Sequence, residues 1–198
     1  LTTSSAASDV YKRQVHFRSD SPTGSSVGFY LTMCLAAQAG WDVEGYDASA
    51  AFLQTESINR TLLLRMPSKR PPPGTLPDQV FRANNYIYGT RDASRGWYLH
   101  LRKKLKQQGL QESRLEPSIY AWCDPKTNQL VAVIFAHVDD FLVAKRSDHE
   151  GFKLVLETLK RELHLTKKHD ATWTFCGKEI TATPSTFTIT NRKVLAST

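Results

Sequence analysis

Cysteine is scarce in this chain: Cys34, Cys123 and Cys176 are the three in 198 residues. They are far apart and odd in number, which excludes a disulfide framework and fits a reducing compartment. A zinc site drawn from Cys123, Cys176, His164 and His169 lacks any paired C-x-x-C element and is not expected. No apolar run approaches the roughly 18 residues of a membrane span, and no internal repeat is present. Neither the basic n-region and apolar core of a secretory signal nor the arginine-rich amphipathic pattern of a transit peptide occurs in residues 1–14. Residues 1–14 are small, polar and aperiodic, and are expected to be a disordered or non-native leader, leaving 15–198 as the domain. Acid is also in deficit, with 19 Asp and Glu against 26 Lys and Arg, a formal charge of +7. That balance favours a polyanionic partner without specifying a fold. Hydrophobic residues make up 40% and charged residues 23%, ordinary for a globular protein long enough to bury a core unaided.

What the chain does have is an apolar run broken by acid. Ile134-Phe135-Ala136-His137-Val138-Asp139-Asp140-Phe141-Leu142-Val143 sets two adjacent carboxylates between β-branched and aromatic flanks. Two aspartates inside one continuous buried strand would be costly, so a hairpin with Asp139 and Asp140 at its tip is expected. The tip lacks the Asn-Gly or Asp-Gly chemistry that tight hairpins prefer. An acidic surface turn is the plain reading; a functional carboxylate site is the sharper one.

A helix capped by Ser25 or Ser26 is expected to run to Ala39 and stop at Gly40, with Val27, Tyr30, Leu31, Cys34 and Leu35 on its apolar face. Trp41 to Tyr46 reads as a strand delivering Asp47, followed by a helical turn over Ala48 to Leu53. A strand over Thr61 to Met66 leads into a proline-rich loop, Pro67 to Gly74, and Val80 to Tyr88 reads as extended. Asp92 or Ser94 opens a helix ending at Gly109, with Trp97, Leu101 and Leu105 on one side. Its polar face carries Arg91, Arg95, Arg102, Lys103, Lys104 and Lys106 against Asp92 alone, either a solvated face or a nucleic-acid contact. Then come a strand over Ser118 to Cys123, the strand before Asp139, a helix over Asp148 to Leu163 burying Phe152, Leu156, Leu159 and Leu163, and a β pair over Trp173 to Thr181 and Thr186 to Thr190.

Asp47 also ends an apolar strand. Beside the acidic hairpin it would complete a trio of carboxylates, which repel one another unless cations intervene. Magnesium prefers carboxylate oxygens, water and substrate phosphates, and a pair of ions can clamp both oxygens of a phosphoryl displacement. Because neighbouring strand residues face opposite ways, Asp47 and Asp139 are expected to hold two Mg2+ ions, with Mn2+ as an alternative, and Asp140 to support them.

Five segments resemble, in order and spacing, the reverse transcriptase domain of copia-type retrotransposons. Asp47-Ala48-Ser49-Ala50-Ala51-Phe52-Leu53 is similar to that family's D-V-K-T-A-F-L, and Tyr88-Gly89-Thr90-Arg91-Asp92-Ala93-Ser94-Arg95-Gly96-Trp97-Tyr98 to its Y-G-L-K-Q-A-P-R-A-W-Y. Glu116-Pro117-Ser118-Ile119-Tyr120 resembles D-P-S-L-F, His137-Val138-Asp139-Asp140 resembles Y-V-D-D, and Phe175-Cys176-Gly177-Lys178-Glu179-Ile180 resembles F-L-G-I-E-I. The resemblance implies an α+β right-hand polymerase palm with a ferredoxin-like βαββαβ core, an antiparallel sheet and part of the fingers. It implies an RNA-directed DNA polymerase, a nucleotidyltransferase in which Asp47, Asp139 and Asp140 are the catalytic and metal-binding residues. By the same resemblance Phe52, Gly89 and Arg91 meet the deoxynucleotide, and His137, Arg95, Arg102, Lys103 and Lys106 meet template and primer. RNase H and integrase parts of a polyprotein and a cytoplasmic retroelement particle are implied as well. His137 departs from the family's tyrosine and Ser94 from its proline, and the family's upstream basic strand has no counterpart here. The alternatives are a non-catalytic RRM-like nucleic-acid-binding module and a decayed, inactive element copy.

Overall fold

The computed structural model describes residues 19–58, 60–65, 73–74, 76, 79–168, 172–183 and 186–190. The leader 1–14, His169 and most of the proline loop lie outside the described residues. Helix α1 spans Ser26–Ala39 and strand β1 Asp42–Ala48, followed by a 3-10 turn over Ala51–Gln54 and the hairpin β2 (Leu62–Arg65) and β3 (Val80–Ala83). Helix α2 spans Ala93–Gln107; β4 (Gln111–Glu112), β5 (Ile119–Cys123), β6 (Leu130–His137) and β7 (Asp140–Lys145) follow. Helix α3 spans Glu150–Glu162, and β8 (Leu165–Lys167), β9 (Thr172–Phe175), β10 (Lys178–Ala182) and β11 (Phe187–Thr190) close the series. The architecture is mixed α/β with antiparallel sheets and three helices.

Six strands form the central sheet in the order β4-β5-β6-β7-β1-β8, all neighbours antiparallel. The apolar run 131–136 is buried along its whole length, as a strand covered on both faces must be. On one face, Tyr46, Ile134, Phe141 and Val143 meet Trp97, Leu101 and Leu105 of α2 and Phe152, Leu156 and Leu159 of α3. On the other, Val43, Val133, Phe135 and Leu142 meet Phe29 and Met33 of α1 and Trp173, Phe175 and Ile180 of the small sheet β9-β10-β11. Burying each such large side chain stabilises the fold by about 1.5–3 kcal/mol.

The expected caps of α1 form: the Ser25 hydroxyl accepts from the Gly28 N–H, and Gly40 closes the helix. The expected buried face does not. Val27 is 76% and Leu31 59% exposed, Tyr30 and Cys34 are exposed too, and the helix buries Gly28, Phe29, Thr32, Met33 and Ala36 instead; of the expected residues Leu35 alone packs, half-buried, against the core. Apolar residues lie on both sides of this helix, so periodicity could not choose between them. Gly28 chose. A Cβ there would stand 2.8 Å from the Phe135 ring and 2.9 Å from Glu116 Cγ, so only glycine lets α1 approach the sheet this closely.

Helices α2 and α3 bury the residues their spacing predicts. Asp92 stands at the N-cap of α2 without capping it through its side chain; its two oxygens take a fork from Arg60 Nε and Nη2, both at 2.8 Å. Such charge-assisted pairs are stronger than neutral hydrogen bonds, and this one ties the segment before β2 to the start of α2. Two smaller differences concern strand limits. The extended run expected over Val80 to Tyr88 ends at Ala83, and the closing β pair is a three-stranded sheet, because Cys176-Gly177 turns β9 back into β10.

Candidate active site

Asp47 lies inside β1, not beyond it, and pairs directly with Asp140, the first residue of β7. Asp140 pairs on its other side with His137, the last residue of β6. Directly opposed residues of an antiparallel ladder project to the same face, so His137, Asp140 and Asp47 form a row at one end of the sheet. It is the face on which Val43 and Leu142 meet α1 and the small sheet. The hairpin tip therefore consists of Val138 and Asp139, one residue earlier than the sequence suggests, and Asp140 is a ladder residue.

The turn is strained and tied at two points. Val138 adopts φ +58°, a left-handed conformation that β-branched residues avoid. Held strain of this kind costs about 1–3 kcal/mol. The Val138 carbonyl accepts a hydrogen bond from Trp97 Nε1 at 2.6 Å. The Asp139 carbonyl accepts from the Ala48 N–H at 2.7 Å, which fastens the tip to the residue following Asp47. A hydrogen bond contributes roughly 0.5–1.5 kcal/mol net, so the two together are of the size needed to hold the strain. On the other side, His137 Nδ1 lies 3.1 Å from the carbonyl of Gly24, in the segment leading into α1.

Three carboxylates at one sheet end disturb each other. Burial pushes the Asp47 carboxyl above the usual carboxylate range, the charges of Asp139 and then Asp140 push it further, and Lys168 offsets part of this. Lys168 is the local counter-charge. Its ammonium pairs with Asp140 and also donates to the Thr174 carbonyl at 3.1 Å, while its own N–H bonds the Gly45 carbonyl. Cys176 is also within reach of this field: burial, then the Asp140 charge, pushes its thiol up to about 11, so at neutral pH it is an inert thiol.

The donor set suits a hard divalent cation, because it is all carboxylate oxygen and carries repulsion that a cation would relieve. Among the described residues no three Asp, Glu, His or Cys side chains close into a ready cation cage. An open cluster is what magnesium chemistry uses, since that ion is commonly held by one or two carboxylates with water and substrate phosphates completing its shell.

The remaining expected site residues are spread more widely. Phe52 is 8% exposed and belongs to the main core, its ring edge-on to Tyr88 with centroids 4.4 Å apart. That contact joins the 3-10 turn after β1 to the loop carrying Gly89 and Arg91, both exposed. Gly89 has φ +87° and open space where a Cβ would stand. The cations of α2 are not bare: Arg95 binds Asp20, Arg102 and Lys106 share Glu112 at 2.6 and 3.2 Å, Lys103 pairs with Glu56, and Lys104 lies 3.3 Å from Glu162. Those acids come from other elements, so a count over the helix alone missed them. Arg102, Lys103 and Lys106 stay partly exposed. The Lys103–Glu56 pair, exposed on both sides, is worth about 0–1 kcal/mol, little enough for a phosphate to displace, whereas the Glu112 that Arg102 and Lys106 share is largely buried.

Two residues of the site were not anticipated as such. Lys168 carries no sequence mark that sets it apart from other lysines. Trp97 was expected only as core, yet a buried indole N–H needs an acceptor, and that requirement was a signal.

A family model described as reverse transcriptase (RNA-dependent DNA polymerase) matches residues 15–197. The chain belongs to the reverse transcriptase family. Two relatives from Arabidopsis thaliana match over most of this chain. The Retrovirus-related Pol polyprotein from transposon RE2 is 25% identical over 177 residues, 87% of this chain and 11% of the relative. The corresponding polyprotein from transposon RE1 is 24% identical over 179 residues, 88% of this chain and 12% of the relative. The chain thus spans about a ninth of the length of these relatives. Among its described residues no helix is long and apolar enough to cross a membrane.

Proposed function

We propose that this chain carries the nucleotidyl-transfer centre of an RNA-directed DNA polymerase from a copia-like Pol polyprotein, joining deoxynucleotides to a primer 3′-hydroxyl. The observation that carries this is the register of β1 and β7, which sets Asp47 against Asp140 with Asp139 in the adjoining turn. A palm is supported by connectivity: β1, α2, β6, β7, α3 and β8 occur in the chain order βαββαβ, with β2–β3 inserted after β1 and β4–β5 after α2, and four of the strands adjoin in the order β6-β7-β1-β8.

In this reading Asp47 and Asp139 hold two Mg2+ ions and Asp140 supports them. Bound magnesium would neutralise charge on the phosphates and on the attacking and departing oxygens. No side-chain nucleophile is needed, because the primer hydroxyl attacks the α-phosphate of a deoxynucleoside triphosphate. The α–β anhydride bond breaks and pyrophosphate leaves, with the hydroxyl proton passing to solvent; the protein contributes position and a charge-matched cluster. Gly89 and Arg91 offer an exposed backbone and a guanidinium to the nucleotide, with Phe52 behind Tyr88 as the aromatic wall. His137 faces the primer end; Arg95, Arg102, Lys103 and Lys106 exchange carboxylate partners for template phosphates. RNase H and integrase parts of the polyprotein, and a retroelement particle, are the partners and setting this reading implies. A purely RNA-binding module accounts less well for the site, since binding RNA gives no reason to gather three carboxylates.

The test is primer extension on an RNA template with Mg2+ by the polyprotein segment containing this chain. Asp47→Asn and Asp139→Asn should each remove extension without loss of cooperative folding. Extension that survives Asp139→Asn overturns the proposal.

A further inference from the structure

We infer that Trp97 is a positioning residue for the carboxylate cluster, acting through the backbone of Val138. The inference rests on the proposed function for its consequence and on geometry for its substance. Trp97 is buried to 1% exposure on α2, and its indole N–H donates to a main-chain carbonyl of the hairpin tip. A side chain from a helix thereby fixes the orientation of one peptide unit, the one joining Val138 to Asp139.

That peptide is the sensitive one. Val138 sits at φ +58°, the first central position of a two-residue turn between His137 and Asp140, where a primed turn usually has glycine. Asp139 lies outside the left-handed region. The alternative is a flip of the Val138–Asp139 peptide, which rotates ψ of Val138 and φ of Asp139, leaves φ of Val138 positive and carries Asp139 to positive φ. It turns the Val138 carbonyl away from Trp97 and the Asp139 N–H to the opposite side, re-aiming the Asp139 carboxylate. The Asp139 carbonyl is already tied to the Ala48 N–H, so the turn has a fixed exit and a switchable start. Trp97 Nε1 holds the start. Partial burial of Val138 against the same core as Trp97 keeps water from replacing the indole as donor.

The sequence contains the elements of this arrangement without its logic. Trp97 lies on the same helix face as Leu101 and Leu105, all of which are buried, so a core role explains its burial. A core role alone does not require the nitrogen. The distinction sets the experiment: remove the donor while keeping the ring.

Trp97→Phe removes the N–H and keeps an aromatic ring; 3-benzothienylalanine at 97 keeps the full bicyclic shape and replaces N–H by sulfur, should the phenylalanine variant fold poorly. Two readouts apply to the whole chain. The intraresidue amide–Hα NOE of Asp139, strong only at positive φ, reports which way that peptide points, and Mn2+ titrated by electron paramagnetic resonance reports the cluster. Expected results are the appearance of the strong Asp139 NOE and a roughly 10- to 100-fold weaker Mn2+ affinity, the usual cost of losing a group that orients a ligand. Val138→Gly supplies the decisive control, because glycine holds the starting turn at φ +58° without strain: the double variant Trp97→Phe with Val138→Gly should recover Mn2+ affinity to near that of Val138→Gly alone. An unchanged Asp139 NOE in the donor-less variants overturns the inference, as does failure of glycine to rescue. If the wild-type chain binds no Mn2+, the proposed function fails, and the Asp139 NOE still decides whether Trp97 sets the turn.

Discussion

Asp47 and Asp140 stand directly opposite one another across β1 and β7, two like charges in a position where a sheet ordinarily sets an attractive pair. Asp139 in the adjacent turn adds to the repulsion, and Asp47 is the residue whose carboxyl is pushed up, by burial first and by these charges second. Stability has been given up here for a charge arrangement.

Asp47→Asn should therefore stabilise the chain while abolishing nucleotidyl transfer. The folded-state carboxyl of Asp47 binds its proton more tightly than the unfolded one does. Its contribution to stability is thus complete below the unfolded carboxylate pKa of about 3.9 and is lost as pH rises through the raised folded value. The gain from Asp47→Asn should be absent in strong acid and full at neutral pH, where Tm should rise by a few degrees. Thermal melts of both proteins across that range, without divalent cations, provide the check; a lower Tm for the variant at pH 7 would contradict the electrostatic account.

Lys168 supplies the counter-charge that Asp140 uses, so its removal should make the cluster lean on cations from solution. For Lys168→Met we expect lower Tm in chelator and a larger rise in Tm with added Mg2+ than in wild type, since ligands that bind only the folded state stabilise by mass action. Parallel melts across a Mg2+ series measure this. Equal slopes for the two proteins would mean that Lys168 and the cation do not share a site.

Glu112 gathers Arg102, Lys106 and the Tyr98 hydroxyl at the end of α2. Glu112→Gln should loosen the α2 end, costing roughly 1–3 kcal/mol because two cations lose a partly buried partner, and should raise affinity for single-stranded RNA with a steeper salt dependence. Denaturant unfolding and fluorescence-anisotropy titrations at several salt concentrations separate the two effects. Lower stability with unchanged RNA affinity would assign these cations to the fold alone.

The local chemistry of the chain was decisive wherever one element chose its own form. Ser25 and Gly40 bound α1, the spacing of Trp97, Leu101 and Leu105 set the buried face of α2, and the apolar flanks of Asp139 and Asp140 announced paired strands. The five family segments were legible for a related reason, since they are contiguous residues whose order survives without any coordinates. What needed tertiary structure was every choice between equal local options. Helix α1 has apolar residues on both sides, and only the approach of Gly28 to Phe135 selected one. The cations of α2 looked unopposed until Asp20, Glu56, Glu112 and Glu162 arrived from elsewhere. Asp47 met Asp140 because β1 inserts between β7 and β8, a pairing of residues 93 positions apart that no local periodicity encodes. Periodicity reports a residue's own element; charge pairing, close approach and register depend on what a second element brings, and only the folded chain contains that.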